Sequence, residues 1–154
     1  MDSMKYARLC RRVVAKKDEL NQSRNMAKYA INQLVLTSLG NLGGNDAHKD
    51  VIKAGSIDGD GKFLAGEFVE KRPTEFDFVL QVRVGLEDKY EIFYLQMTVI
   101  VEAGKVKFFC KTTGNEAKVP TNDGTMNRYD TMVAVTELLG PAVELYVDEY
   151  FARG

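Results

Sequence analysis

The stretch Phe76-Asp77-Phe78-Val79-Leu80-Gln81-Val82-Arg83-Val84 decides the fold. Phe76, Phe78, Leu80, Val82 and Val84 alternate with Asp77, Gln81 and Arg83, the period-two pattern of a strand with one buried and one mostly wetted face. Downstream, Tyr90 to Val101 reads as a longer strand with apolar side chains on both faces, as in a central strand. Glu102-Ala103-Gly104-Lys105 is a tight turn, and Val106 to Lys111 returns from it. Upstream, Val51–Ile57 and Lys62–Glu70 flank Asp58-Gly59-Asp60-Gly61, a hairpin signal. Residues 51–112 therefore read as an antiparallel meander of about five strands.

On either side of the meander the period becomes helical. Over residues 3–39, Tyr6, Leu9, Val13 and Leu20 form an apolar stripe that Ala27, Ile31 and Leu34 continue. Lys16 to Asn25 is polar apart from Leu20, so this is either one long helix exposed at its waist or two helices joined near Asn21–Ser23. Gly40, Gly43 and Gly44 close it. Residues 113–124 read as a polar loop, with Asn122 or Asp123 as the N-cap of a following helix. Met126, Tyr129, Met132, Val133 and Leu139 mark that helix's apolar face, and Gly140-Pro141 breaks it, with Pro141 in the first turn of a second helix. The expected architecture is α+β within one domain, 1–154. It comprises a basic helical region (1–43), an antiparallel sheet (51–112) and C-terminal helices (122–152) packed on one sheet face.

The chain's 154 residues, 45% hydrophobic and 28% charged, exclude wholesale disorder, a collagen-like repeat and a disulfide scaffold. Net charge is −1, but it is unevenly spread. Residues 1–50 carry nine basic and five acidic side chains, net +4, and the remainder twelve and seventeen, net −5. Cys10 and Cys110 form no CxxC and no ligand cluster, and read as reduced thiols. No stretch approaches the ~18 apolar residues of a membrane span, so the expected setting is cytoplasmic and soluble.

The basic head supplies the first candidate site. Lys5, Arg8, Arg12 and Lys16 are spaced three, four and four apart and share a helical face, with Arg11 beside them. Such a strip suits phosphates, an acidic protein partner or an anionic surface. The second candidate is Ser56 to Phe68, which resembles the EF-hand calcium loop over thirteen residues. Asp58, Asp60, Gly61 and Glu67 fall at that loop's third, fifth, sixth and twelfth positions. Ser56 stands where the first aspartate belongs, however, and Pro73 would cut the exiting helix. A hairpin tipped by Asp-Gly-Asp-Gly explains the same residues.

Asp46-Ala47-His48-Lys49-Asp50 reads as a solvated loop around the only histidine. The aromatics read chiefly as core beneath two helices. Exposed rings on a sheet could instead stack bases, and Tyr90 and Tyr94 share one strand face. Tyr146, Tyr150 and Phe151 form a candidate dimer contact. With one histidine and no nucleophile or phosphate-loop motif, the leading expectation is a non-enzymatic adaptor, chaperone- or inhibitor-like, that works through protein–protein contacts as a homodimer without a cofactor. A nucleic-acid-binding protein using the basic helix is the alternative, and a calcium module at residues 56–67 a lesser one.

Overall fold

The computed structural model describes residues 3–43, 51–86 and 89–152. The chain runs α1 (Ser3–Gly43), β1 (Ile52–Ile57), β2 (Phe63–Ala65), β3 (Val69–Arg72), β4 (Glu75–Leu86), β5 (Lys89–Glu102), β6 (Lys105–Cys110), β7 (Glu116–Asn122), β8 (Thr125–Met126) and α2 (Arg128–Ala152). The architecture is α+β, as expected. The sheet, however, has eight strands rather than about five, in the order β2-β1-β4-β5-β6-β7-β8, with β3 also on β4. All its pairings are antiparallel.

The extra strands arise in two places. Lys62–Glu70 is two strands, because the chain turns at Gly66 (φ 82°) and moves from β1 to β4. Residues 113–124 are largely β7 rather than a loop, with Ala117 and Val119 on the buried face. Asp123 (φ 52°) and Gly124 (φ 76°) make the tight turn into β8. Two successive positive φ values are the signature of the type I′ hairpin. Asp123 is thus a turn residue and not a helix cap. The cap is Asn127, whose Oδ1 accepts the N–H groups of Tyr129 (2.8 Å) and Asp130 (3.2 Å).

Both helices cover one face of the sheet. Phe76, Phe78, Leu80 and Val82 of β4 lie beside Leu95, Met97 and Val99 of β5 and Val106, Phe108 and Cys110 of β6. Ala27, Ala30, Ile31 and Leu34 of α1 close over them, with Ala134, Val135, Leu138, Leu139 and Ala142 of α2. The α2 face is rotated from the expected one, so Tyr129, Met132 and Val133 are exposed. Thr131 is buried instead, its hydroxyl donating to the Asn127 carbonyl at 2.7 Å.

Both helices are continuous. Pro141 lies inside α2 without ending it. Proline removes one backbone donor and crowds the carbonyl four residues back. Burial of Leu138, Leu139 and Ala142 on either side holds the helix together across the defect. Helix α1 runs unbroken through its polar waist for 41 residues, about 60 Å at 1.5 Å per residue.

Candidate functional site

Helix α1 has two unlike halves. From Ala27 to Ser38 it is docked, with Ala27, Ala30, Ile31, Leu34 and Ser38 buried. The alanines let the backbone come close, and the Ser38 hydroxyl is satisfied by the Leu34 carbonyl at 2.6 Å. Arg24 pairs with Glu70 of β3 at 2.9 Å, and the Tyr29 hydroxyl accepts the Met126 N–H at 3.2 Å. These contacts fix where the helix leaves the body.

From Ser3 to Glu19 every side chain is exposed except that of Ala7, which is half-buried. The stripe expected to pack does not. Tyr6 is 64% exposed and Val13 52%. Tyr6, Val13, Leu20, Ala27 and Leu34 recur every seven residues along one helical face, which drifts only about 20° per repeat. That face is buried at Leu34 and Ala27, half-buried at Leu20, and bare at Val13, Leu9 and Tyr6. The core-facing stripe therefore runs out past the core.

Lys5, Arg8, Arg11, Arg12 and Lys16 all lie on this arm, together with Lys17. Lys5, Arg12 and Lys16 flank the apolar stripe, and Arg8 and Arg11 lie further round. Among the described residues, only Lys16 of these six forms an ion pair, an exposed one with Glu19 at 3.6 Å. Pairs of that kind contribute little. The arm is thus a cationic amphipathic helix with both of its faces open.

The other expected sites fare differently. The Asp58–Gly61 segment is a hairpin tip between β1 and β2, with strands where an EF-hand has helices. The Asp58 carboxylate accepts the N–H groups of Asp60 and Lys62, each at 2.9 Å. Asp58, Asp60 and Glu67 are not brought together: among the described residues no three of His, Cys, Asp and Glu gather as metal ligands. Asp46, His48 and Asp50 lie outside the described residues. Tyr146 is half-buried, its ring 5.5 Å from that of Phe93, so it faces into the molecule. The side chains of Tyr150 and Phe151 lie outside the described residues. Cys10 and Cys110 are both free, the first exposed and the second buried. No helix among the described residues is long and apolar enough to cross a membrane.

One surface follows the lesser of the two expectations for the aromatics, rings exposed on the sheet. Tyr90 and Tyr94 are not core beneath the helices. With Ile92 they project from the opposite, uncovered sheet face, 37%, 37% and 40% exposed. Arg83 stacks 3.9 Å over the Tyr90 ring, Gln81 donates to the Tyr94 hydroxyl at 3.3 Å, and Phe63 lies 6.0 Å from Tyr94. Phe108 and Phe109 divide between the faces, the first buried and the second half-buried. The signal was the hairpin register: with two residues between Leu86 and Lys89, Gln81 falls opposite Tyr94 and Arg83 opposite Ile92. Cross-strand partners share a face, so the polar side of β4 is also the side of these three residues. Further along this face the cations are matched. Lys111 meets Asp77 at 3.2 Å, Lys107 meets Glu116 at 3.5 Å, and Lys105 meets Glu102 at 3.2 Å.

Comparison with protein-family models, curated proteins and solved structures finds no match.

Proposed function

We propose that the chain is a binding protein of the adaptor kind, and that the N-terminal half of α1 is its recognition element. The observation that carries this reading is the bare stripe Tyr6-Leu9-Val13, flanked by Lys5, Arg12 and Lys16, on a helix held out from the body. An amphipathic helix of this composition suits an apolar groove with an acidic rim on another protein. Apolar anchors supply contact area there, and the rim charges set partner choice and association rate. A nucleic-acid partner would use the cations and leave the stripe in water, so the apolar residues favour a protein.

The test places a photo-crosslinking residue at Val13 in the full chain and compares it with the variant that also carries Arg8→Glu, Arg11→Glu and Arg12→Glu. The reading expects protein adducts at Val13 that the triple substitution removes, with far-UV circular dichroism unchanged. In parallel, anisotropy of labelled oligonucleotides is measured at about 50 and 200 mM salt, across which phosphate contacts lose most of their affinity. Steeply salt-dependent oligonucleotide binding, lost in the triple variant and without protein adducts, would replace the protein by a nucleic acid. Protein adducts that survive the triple substitution would remove the three arginines from the site.

A further inference from the structure

Strands β4 and β5 pair along their whole lengths, from Glu75 opposite Ile100 to Leu86 opposite Lys89. Strand β6 joins β5 only from Met97 to Glu102. Along Lys89–Gln96, therefore, β5 has no second strand beside it among the described residues. The hydrogen bonds show which groups face that edge. Lys111 N–H donates to the Gln96 carbonyl at 2.9 Å, which places Gln96 backbone groups on the side away from β4. Backbone groups alternate sides along a strand, so the N–H and C=O groups of Tyr90, Ile92 and Tyr94 point to the same open side. Their side chains are the exposed ones on the uncovered face.

Free edges invite pairing with another chain, and proteins guard them with short strands, charges or proline. The other edges here are guarded: β2 has three residues, β3 carries Glu70, Lys71 and Arg72, and β7 carries Glu116, Lys118 and Pro120. On the uncovered face the Tyr90–Tyr94 edge carries two tyrosines and an isoleucine and no charge; its charges, Lys89 and Glu91, fall on the other face, and it has no proline.

We propose that this edge is a strand-pairing site and that its occupant is β5 of a second copy, running antiparallel about a twofold axis at Ile92. The evidence for a second copy is the symmetry of the edge itself. Tyr90-Glu91-Ile92-Phe93-Tyr94 reads Tyr-x-Ile-x-Tyr in both directions. In this register Ile92 faces Ile92 of the second copy and Tyr90 faces its Tyr94. All three residues then exchange both backbone bonds across the axis. Glu91 faces Phe93 and Lys89 faces Leu95, so no like charges are directly opposed. The aromatic pairs are of the kind that stabilise antiparallel strands. The contact is self-complementary and closes as a dimer. It lies near the far end of β4 from Glu70, where Arg24 ties down α1, so it leaves the arm free.

The full chain is examined by sedimentation velocity from about 10 to 300 µM, since assembly follows protomer concentration. A doubling of mass is expected over this range, together with reversion to monomer on Ile92→Lys, whose side chain sits on the wetted face and leaves the β4 ladder intact. Ile92→Cys in a Cys10→Ser background gives a second reading. Directly opposed residues of this kind stand about 5.5 Å apart at Cα, which suits a disulfide, so mild oxidation yields a covalent dimer. Val69→Cys, exposed but off the edge, does not. The proposal is overturned by a monomer at the highest concentration, by a dimer that persists in Ile92→Lys, or by Ile92→Cys cross-linking no faster than Val69→Cys. Loss of the dimer in the Arg8/Arg11/Arg12→Glu variant would also overturn it, by assigning the contact to α1.

Discussion

Replacing Leu34 by alanine, and separately Val13 by alanine, tests the division of α1 into a docked half and a bare arm. Leu34 is fully buried, with α1 packed over β1 and β5 and against α2. Truncating such a leucine removes its transfer free energy and leaves a cavity, together worth about 3 to 5 kcal/mol. Alanine is the better helix former, so local propensity does not explain any loss. A chain of this size loses about 2 kcal/mol of stability per molar urea, so the midpoint falls by about 1.5 to 2.5 M. Val13 is 52% exposed and occupies the same helical face as Leu34, three heptads away. Its truncation is expected to change stability by no more than about 0.5 kcal/mol, the usual range for a surface position. The assay is urea unfolding followed by ellipticity at a β-sensitive wavelength and by tyrosine fluorescence. A Val13→Ala loss comparable to that of Leu34→Ala would refute the reasoning, because the arm would then be packed against the body.

Two further substitutions probe local features. Asn127→Ala removes the acceptor for two N–H groups at the start of α2 and is expected to destabilise by about 1 kcal/mol, read as a lower thermal midpoint that Asn127→Asp restores. At Gly55 a Cβ would lie 2.3 Å from the Leu64 carbonyl oxygen and 2.7 Å from the Phe63 ring. Gly55→Ala should therefore destabilise by about 1 to 3 kcal/mol through overpacking and shift the β1–β2 amide signals, whereas unchanged stability would mean that the hairpin yields freely.

The sequence made the central meander legible because β4 alternates everywhere but at Val79 and β5 is long and apolar. It was weaker where the signal is short. In β7 only Ala117 and Val119 alternate with polar partners, and neither is bulky, so the strand resembles a loop. At Gly140-Pro141 the local chemistry says stop, yet the neighbouring side chains are in the core and tertiary burial overrides it. The stripe through Tyr6, Val13 and Leu34 is helical by its spacing, but periodicity reports which residues share a face and not whether anything covers it. Only the length of the sheet beneath α1 decides that. Among the candidate sites, the cations could be placed on the helix from spacing alone. The Tyr90–Tyr94 edge required knowing that β6 ends at Cys110, opposite Met97, a fact of strand length that the apolar pattern of β5 does not carry.

The two halves of α1 also form at different thermodynamic levels. Starting a helix is the unfavourable step, and adding residues to an existing one is nearly neutral. The docked half, fixed by the sheet, acts as a permanent nucleus from which the arm propagates outward. A free peptide as long as the arm sits near the margin of helicity in water. Attached to that nucleus, it frays turn by turn from Ser3 inward, with opening energies graded from nearly zero at the tip to the global value under the sheet. The order of the arm can therefore rise or fall with temperature, salt or an occupant while the stability of the sheet stays where it is. Amide exchange along α1 would register that gradient as a ramp instead of a step.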